Sequence, residues 1–431
     1  MLYENLRING EGHLTFAGVD TTDLAARYGT PLLVMDEGRV RERCREYKNA
    51  MASCMPAGSM PFYASKALSF KGIYRIMAQE NMGIDVVSCG ELHTAYSAGF
   101  PMEKACFHGN SKTDSDISFA MERGIGYIVS DVAAEIDAID REAEKRGICQ
   151  KVLLRLSPGI DPHTHAKIST GSIDSKFGAV IENGQAEQLV RHTLSKKNIT
   201  LAGYHCHIGS QIFDHAPFCD AAVIMLRFSA HIQQTLGFEA PVVNLGGGMA
   251  VPYTQADPEV DYAGKICAVS KLIAHTCAQL GIRVPVIFME PGRSIVADSG
   301  ITLYTVTGTK QIPGFKNYAA VDGGMTDNPR YTLYEAEYTV LPANRMQDDR
   351  DFVCTVAGRC CESGDLIQEN VPLPTPERGD LLAVLTTGAY NYSMASNYNR
   401  LPKPPVVMVA DGESYVAVRG ETYEDLTRYD M

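Results

Sequence analysis

The sequence predicts an α/β fold made of a (β/α)8 barrel and a second, mostly β domain. Between residues 60 and 293, eight short apolar, β-branched or aromatic runs alternate with helix-length stretches. Eight strands with intervening helices over roughly 230–250 residues are typical of such a barrel. Beyond residue 300 the helical periodicity fades, and strand-like runs separated by turn residues follow one another. An open, doubly wound sheet is the structural alternative, and the count of eight favours the barrel.

Each barrel strand is predicted from its own run of strand-forming residues. The runs cover 61–67, 84–88, 106–110, 127–131, 152–158, 203–210, 242–248 and 286–293. Helices are predicted where apolar residues recur at helical spacing, namely at 71–81, 133–147, 220–237 and 265–281. The last three of these stretches end in glycine, which commonly stops a helix because it tolerates a left-handed backbone.

The second domain is predicted from further strand-like runs. They cover 301–312, 318–324, 338–341, 351–358, 381–388, 404–412 and 414–420. The run PLLVMDEG at 31–38 precedes the barrel strands and is expected to join this domain, so that the barrel is inserted within it. The predicted boundaries are 1–38 for the N-terminal segment of the β domain, 39–300 for the barrel and 301–431 for the C-terminal β domain.

Composition restricts the class of protein. The chain has 431 residues and a formal net charge of −12, which disfavours nucleic acid and anionic membranes as partners. No apolar run approaches the roughly 20 residues that span a bilayer, and the polar start MLYENLRING is unlike a signal or transit peptide. The 12 cysteines include no CxxC pair, so we predict no metal site and expect reduced thiols in a cytoplasmic protein.

Polar residues recur at the predicted carboxyl ends of the barrel strands, where barrel enzymes carry their active sites. They are Lys66, His108, Arg155, His207 with Ser210, Gly246–Gly248, and Glu290 with Arg293. Each residue alone is ordinary at a strand end or turn. Together, a lysine, two histidines, a glycine-rich turn and a carboxylate beside an arginine indicate a cofactor that carries a phosphate.

Pyridoxal 5′-phosphate (PLP) suits this set of residues. A lysine amine forms a Schiff base with the PLP aldehyde. The backbone amides of a glycine turn, with a hydroxyl such as that of Ser210, cradle the phosphate. A carboxylate such as Glu290 keeps the ring nitrogen protonated, which makes the ring a better electron acceptor.

The chain resembles the fold-type III, alanine-racemase-like PLP decarboxylases, and within them it is most similar to the diaminopimelate decarboxylases. The resemblance runs over nearly the whole chain. The matching stretches are FYASKA, GIDVVSCGEL, HGNSK, SKFG, HCHIGSQI, NLGGGMAVPY, EPGRSIVADSG, VDGGMTDNPRYTLYEA, CESGD and GAYNYSMASNYNRLPKP. None of these stretches is decisive alone, and together they are highly specific. The resemblance implies a PLP-binding barrel that decarboxylates an amino acid.

The resemblance also implies roles for individual residues. Lys66 resembles the PLP-binding lysine, His207 the histidine stacked on the ring, and Glu290 the partner of the ring nitrogen. Cys361 resembles the proton donor. The other implied cofactor contacts are Asp85, Arg155, Ser210, Gly247, Gly248, Gly292, Arg293 and Tyr390. The implied substrate contacts are Arg293, Arg330 and Tyr334 at the far carboxylate, Glu362 at the far amino group, and Tyr390.

The expected reaction is the decarboxylation of meso-2,6-diaminopimelate to L-lysine and CO2. A carboxylate at Glu290 favours decarboxylation over alanine-type racemisation, because it strengthens the ring as an electron acceptor. Two arginines suit a substrate with a far carboxylate, which lysine and ornithine lack. The alternatives are a related decarboxylase acting on ornithine, lysine, arginine or carboxynorspermidine, and a PLP-binding barrel without catalysis. The second alternative leaves the second domain and Cys361 unexplained.

The resemblance further implies a homodimer with shared active sites, in which the loop of Cys361 and Glu362 reaches the partner's barrel. Neighbouring residues of a strand point to opposite faces, so Cys361 is expected to face the cofactor while Cys360 packs away from it. Arg359 stands where the family commonly has the proline of Gly-Pro-x-Cys, and it adds a charge there. The Gly- and Ser-containing segment 161–178 follows the fifth strand and is predicted to form a lid.

Overall fold

The computed structural model describes residues 2–160 and 175–431, and the chain divides into two compact units. The barrel unit consists of Cys44–Ala250 and Val260–Gly292, and the sheet unit of Met1–Arg43, Val251–Glu259 and Arg293–Met431. The sheet unit thus combines the N-terminal segment with the C-terminal part of the chain. Most of the predicted lid, 161–174, lies outside the described residues.

The barrel unit is a closed barrel of eight parallel strands, which confirms the predicted fold class. Each strand pairs with the next, and the eighth pairs with the first through Phe288 and Met60. A short strand, Ala179–Val180, adds to the edge of the fifth. The eight strands are Met60–Ala64, Gly83–Val86, Ala105–Phe107, Tyr127–Ser130, Gln150–Ser157, Ile199–His205, Val242–Asn244 and Val286–Met289.

Helices alternate with the barrel strands, and the four helices predicted from the sequence are among them. Three of these end at Gly147, Gly237 and Gly281, which have φ values of 64°, 70° and 68° and so adopt the left-handed backbone expected of a helix stop. The helices are Glu37–Cys54, Lys71–Gln79, Cys89–Ser97, Asp114–Glu122, Ala133–Arg146, Gln185–Leu194, Ala216–Leu236 and Tyr262–Leu280, with single 3-10 turns at Ser65–Ala67 and Met102–Lys104.

An apolar layer inside the barrel determines which residues carry the site. Its buried members are Phe62, Cys106, Val129, Leu153, Ala202, Val242 and Phe288. Side chains of a strand alternate between its two faces, so the residue two positions after a layer member points to the same side. Those following residues include Ala64, His108, Arg155, Asn244 and Glu290. The barrel therefore places a polar layer directly beyond the apolar one, toward the carboxyl ends of its strands.

The larger sheet of the sheet unit is organised around the long strand Gly300–Ile312 and the short buried strand Leu32–Asp36. The buried strand Leu32–Asp36 pairs antiparallel with Gly300–Ile312 and parallel with Val406–Ala410, which places the N-terminal segment inside the sheet. The other strands of the unit are Leu6–Ile8, Leu14–Phe16, Val19–Asp20, Lys316–Val321, Val340–Pro342, Phe352–Ala357, Leu366–Leu373, Leu381–Leu385 and Glu413–Val418. Its helices are Thr21–Tyr28, Arg293–Val296, Arg330–Tyr334 and Tyr423–Thr427, with 3-10 turns at Tyr392–Met394 and Tyr398–Arg400.

The strand Leu366–Leu373 was not predicted. Its sequence LIQENVPL interrupts the apolar alternation with polar residues and a proline, and it lies at the end of the sheet order, where Phe352–Ala357 is its antiparallel partner. An edge position tolerates both features, because one side of the strand need not complete a ladder. Among the helices described, none is both long and apolar enough to cross a bilayer.

Candidate active site

A cavity of about 350 Å³ opens at the carboxyl ends of the barrel strands. It contains most of the polar residues that the sequence placed at strand ends. Its lining residues are Ala64, Ser65, Lys66, Asp85, Val87, His108, Gly109, Asn110, Arg155, Phe177, His205, His207 and Glu290. All of them belong to the barrel unit, so this site is built within one compact body.

Lys66 extends from a 3-10 turn, Ser65–Ala67, that directly follows the first barrel strand. The neighbours of Lys66 in this turn are fully buried, whereas Lys66 itself is exposed at the cavity. The N–H of Ala64 donates to the carbonyl of Pro291 at 3.0 Å, which fixes the turn beside the loop that follows Glu290. The fold therefore directs one amine into the cavity at a defined place.

Glu290 follows the eighth strand and is surrounded by three side chains. Nδ2 of Asn244 donates to Oε1 at 2.6 Å, Nε2 of His205 forms a hydrogen bond with Oε2 at 3.2 Å, and Nε2 of His108 lies at ion-pair distance, 3.1 Å from Oε1. Burial raises the pKa of Glu290, but His205 and His108 outweigh it and hold this pKa well below its usual range. Glu290 is therefore an anion in the floor of the cavity.

His108 balances the charge of that anion and also lies close to Asp85. Nε2 of His108 lies 3.2 Å from Oδ1 of Asp85 as well as close to Glu290. Burial lowers the pKa of His108, but Glu290 and Asp85 together raise it to about 9. Burial, followed by Glu290, raises the pKa of Asp85 to about 7. A protonated His108 beside an ionised Glu290 keeps the floor close to neutral, which a buried site requires.

Two histidines at the carboxyl end of the sixth strand have different roles; His205 is its last residue, and His207 follows it. His205 is buried, and burial lowers its pKa to about 4, so it donates to Glu290 as a neutral imidazole. Nδ1 of His207 accepts the N–H of Gly247 at 3.2 Å. Burial, with Lys66 and Arg155, lowers the pKa of His207 well below its usual range. His207 is therefore a neutral ring at the cavity wall, as packing against a flat cofactor requires.

The glycine turn after the seventh strand has no room for side chains. A Cβ at Gly247 would lie 2.0 Å from the carbonyl oxygen of Glu290, and one at Gly248 would lie 2.4 Å from that of Gly209, the residue before Ser210. Gly248 also has a φ of 122°, which side chains rarely adopt. A Cβ at Gly292 would approach that of Ala64 to 2.9 Å. The turn is thus packed tightly against the backbone that follows the sixth and eighth strands.

These residues fit PLP. Lys66 matches the aldehyde of PLP, and the anionic Glu290 matches its ring nitrogen. The neutral His207 suits the flat face of the ring, and the glycine turn suits the phosphate. Arg155 adds positive charge at the same cavity. It is partly buried, and its guanidinium carbon lies 4.3 Å from the ring centre of Phe177. Ligand atoms of His108, His205 and Glu290 lie within 4.8 Å of one another, a spacing that also admits a metal ion.

A second polar cluster lies in the sheet unit, around two buried arginines. Arg293 donates from Nη1 to the hydroxyl of Tyr253 at 2.6 Å, and its guanidinium carbon lies 4.7 Å from the ring centre of Tyr390. The guanidinium carbon of Arg330 lies 5.8 Å from the same ring and 5.6 Å from that of Tyr334. Tyr390 has a φ of 62°, an uncommon conformation for a tyrosine that frequently marks functional positions.

Arg330 has no carboxylate partner in the described part of the chain. It is 7% exposed, and its Nε has no hydrogen-bond acceptor among those residues. Its surroundings are tyrosine rings and the hydroxyl of Tyr338, which donates onward to Oδ1 of Asn391 at 3.1 Å. A buried guanidinium without an anion is costly unless a ligand supplies one. This geometry therefore favours an anionic group of a substrate as its partner.

The paired cysteines lie in a bend after the strand Phe352–Ala357, so the strand alternation used to interpret them was the wrong premise. The bend is held by buried Asp365, whose carboxylate accepts the N–H of Cys360 at 2.6 Å, while Oδ1 of Asn399 accepts that of Cys361 at 2.7 Å. The two thiols still differ, because Cys360 is partly buried and Cys361 is exposed. Glu362 is exposed as well.

The structure thus brings most predicted residues into two groups. The cavity contains Lys66, Asp85, Arg155, His207 and Glu290, and the arginine cluster contains Arg293, Arg330, Tyr334 and Tyr390. Arg293, expected at the end of the eighth barrel strand, instead begins a short helix of the sheet unit. Four residues that contact these groups were not predicted: His205, Asn244, Tyr253 and Tyr338.

One comparison with known families covers the barrel unit. Residues 37–297 match the family model described as pyridoxal-dependent decarboxylase, pyridoxal binding domain. These residues span the barrel strands, the glycine turn and Lys66.

Full-length relatives extend the similarity to the sheet unit. The chain is 44% identical over 430 residues to the diaminopimelate decarboxylase of Bacillus subtilis, covering 100% of this chain and 98% of that one. It is 32% identical to a crystal structure of diaminopimelate decarboxylase from M. jannaschii, with a TM-score of 0.91, covering 99% of this chain and 98% of that one. A second M. jannaschii structure, in complex with L-lysine, has a TM-score of 0.90 at the same identity and coverage.

Proposed function

The chain belongs to the diaminopimelate decarboxylases, a branch of the pyridoxal-dependent decarboxylases, and we propose that it converts meso-2,6-diaminopimelate to L-lysine and CO2, the last step of lysine biosynthesis. The observation that carries the choice of substrate is the buried guanidinium of Arg330, which has no carboxylate partner among the described residues. A substrate with a second carboxylate supplies that partner. Lysine and ornithine do not.

The barrel cavity is assigned to PLP, which when bound supplies an aldehyde for amines and a ring that accepts electrons from a breaking bond. Lys66 holds the cofactor through its amine. Glu290, kept anionic by His205 and His108, holds a proton on the ring nitrogen. His207 packs as a neutral ring, and the turn of Gly247 and Gly248 is assigned to the phosphate.

The sheet unit is assigned to the far end of the substrate. Arg293 and Arg330 hold the far carboxylate, with Tyr334 and Tyr390 as flanking rings. Hydrogen bonds between a guanidinium and a carboxylate are charge-assisted and directional, so they both bind the substrate and orient it. The alternative is a related decarboxylase acting on ornithine, lysine, arginine or carboxynorspermidine. These substrates have no far carboxylate for Arg293 and Arg330 to bind.

Cys361 is assigned to proton transfer, and Glu362 is assigned to substrate recognition. Cys361 delivers a proton to the α-carbon after CO2 leaves, and Glu362 binds the far amino group. Both side chains are exposed in the single chain, which supports a homodimer in which they serve the partner's barrel. We further propose that the enzyme acts in the cytoplasm, where free thiols such as Cys361 stay reduced.

Mixing two inactive variants tests the shared site. Dimers of Lys66→Ala and dimers of Cys361→Ala are each expected to be inactive. After subunit exchange, mixed dimers contain one site with both residues intact, so activity returns to about a quarter of the wild-type value if exchange is random. Mass spectrometry verifies that the subunits have exchanged. If activity does not recover after verified exchange, the shared site is contradicted.

The cofactor assignment has its own test. Wild-type protein incubated with PLP is expected to show the visible absorbance of the lysine-bound cofactor and to release CO2 from meso-2,6-diaminopimelate with one L-lysine formed per CO2. Lys66→Ala is expected to lose the absorbance band and the activity, whereas Lys71→Ala, a change in the next helix, keeps both. An intact band in Lys66→Ala contradicts the assignment.

A further inference from the structure

Asn244 joins two parts of the cofactor site through one side chain. It is the last residue of the seventh barrel strand, Val242–Asn244, and is fully buried. Its Oδ1 accepts the N–H of Gly246 at 2.9 Å, and its Nδ2 donates to Oε1 of Glu290 at 2.6 Å. One amide group therefore contacts both the glycine turn and the carboxylate assigned to the ring nitrogen.

These contacts fix the direction in which the amide faces. The backbone N–H of Gly246 can only donate, so the side-chain atom that it meets must be the oxygen of Asn244. The NH2 group is then turned toward Glu290, where it too can only donate. Glu290 must accept on the oxygen that faces Asn244, and a proton on that oxygen would break the bond.

The backbone strengthens the same connection. The N–H of Glu290 donates to the carbonyl of Gly246 at 2.8 Å, so the turn and the backbone of Glu290 are tied together. The direction of the carboxylate is left to its side-chain donors. His205 and His108 are titratable, whereas the amide of Asn244 keeps the same hydrogen-bonding pattern at every pH at which the protein is folded.

We propose that Asn244 is a positioning residue that aims Glu290 at the cofactor ring and keeps the glycine turn at a fixed separation from it. The inference rests on the proposed function, because that function assigns Glu290 to the ring nitrogen and the turn to the phosphate. In PLP these two groups are attached to one rigid ring. A site with a fixed separation between their partners binds both without rearranging, which saves the cost of ordering the site on binding.

Asn244→Asp tests the contact with Glu290 in the holoenzyme. The new side chain keeps an oxygen for Gly246. Protonated, its second oxygen donates to Glu290 as the amide did; ionised, it repels Glu290, and two adjacent carboxylates share one proton. With PLP labelled with 15N at the ring nitrogen, we expect the wild-type resonance at acid pH. As pH rises and the new carboxylate repels Glu290 from its position, the resonance should depart from that of the wild type at the same pH, and kcat should fall roughly tenfold or more.

The wild-type protein provides the reference for that titration. Glu290 faces His205, His108, Asp85 and Arg155 in both proteins, so the difference between them reports on position 244. Asn244→Ala removes both contacts, and we expect it to weaken PLP binding roughly tenfold and to shift the ring-nitrogen resonance at every pH.

Asn198→Asp is the matched control. Asn198 also donates to a carboxylate, Oδ1 of Asp140 at 3.2 Å, but it precedes the sixth strand and so lies at the opposite end of the barrel from the cavity. We expect its PLP affinity, its 15N resonance and its kcat to match those of the wild type at each pH.

The proposal is overturned if Asn244→Asp keeps the wild-type resonance and kcat across the pH range. This conclusion holds whether or not Asn244→Ala folds. A lower melting temperature with an unchanged resonance also overturns it, because that result marks a purely structural role. If the wild-type protein itself binds no PLP, or binds it and releases no CO2 from meso-2,6-diaminopimelate, the proposed function fails instead. The two failures are therefore distinguishable.

Discussion

Nε2 of His108 lies 3.1 Å from Oε1 of Glu290, and both side chains are buried. Burial alone would disfavour the charge of either group. Because they lie next to each other, His108 and Glu290 each stabilise the ionised form of the other. Asp85, 3.2 Å from the same nitrogen of His108, further favours the protonated histidine. The cavity is therefore prepared to meet a cationic ring nitrogen with a carboxylate while the floor stays near neutral.

The charge of His108 makes the stability of the cofactor-free protein depend on pH. Its pKa rises from 6.5 to about 9 on folding. A group with a raised folded pKa contributes stability that is fully present below about pH 6.5 and is lost as pH rises through about 9. We expect this contribution to the free energy of unfolding to be on the order of 3 kcal/mol.

Denaturant unfolding at several pH values between 6 and 9.5 measures that contribution. Wild type should lose more stability over this interval than His108→Gln, which has no charge to lose. His93→Gln, an exposed histidine of the same unit, serves as the control and should follow the wild type. Equal pH dependence in wild type and His108→Gln would contradict the charged pair.

Arg330→Met separates substrate binding from stability. Removing a charge-assisted contact with the far carboxylate should raise KM for meso-2,6-diaminopimelate roughly 10- to 100-fold. The folded protein should be at least as stable as the wild type, since a buried guanidinium without a carboxylate is replaced by an apolar chain. Steady-state kinetics and a thermal melt of the same preparation measure both effects.

Arg350→Met is the control for that experiment. Arg350 belongs to the same unit and is partly buried, and its guanidinium contacts the sulfur of Met346 at 4.0 Å rather than the arginine cluster. We expect its KM to match the wild type. An unchanged KM in Arg330→Met would show that this arginine does not bind the substrate.

Cys361→Ala and Cys360→Ala form a matched pair at adjacent positions. Loss of a general acid typically costs about 10²- to 10⁴-fold in rate, so kcat should fall by that factor in Cys361→Ala. Cys360 is partly buried, and burial together with Asp365 raises its pKa to about 11. Cys360→Ala should therefore keep kcat close to the wild-type value. Equal losses in the two variants would contradict Cys361 as the proton donor.

Several site residues were predictable from strand alternation alone. Once Val242 is placed inside the barrel, Asn244 must point the same way, as Glu290 does after Phe288. His205 does not follow this pattern. The pairing of the sixth strand with the fifth shifts register between Leu201 and Gly203, so His205 comes three residues after the inward Ala202 rather than two. A register shift of this kind leaves no clear sign in one sequence.

The arginine cluster was only partly predictable, for a different reason. Tyr253 comes from a short segment between barrel elements, and Tyr338 and Asn391 come from separate parts of the sheet unit. Hydrophobic periodicity places a residue on a face of its own helix or strand, and it carries no information on which distant segments meet. The bend of Cys360 and Cys361 was misassigned to a strand because its structure depends on buried Asp365, a tertiary contact.

The ratio of kcat/KM values for meso-2,6-diaminopimelate, L-lysine and L-ornithine tests the central claim most directly. With PLP-loaded wild-type enzyme and CO2 release as the readout, we expect meso-2,6-diaminopimelate to be preferred over each of the other two by at least about 100-fold, since only it offers a carboxylate to Arg293 and Arg330. L-Lysine should accumulate as the product. Comparable or faster CO2 release from L-lysine or L-ornithine would contradict the account.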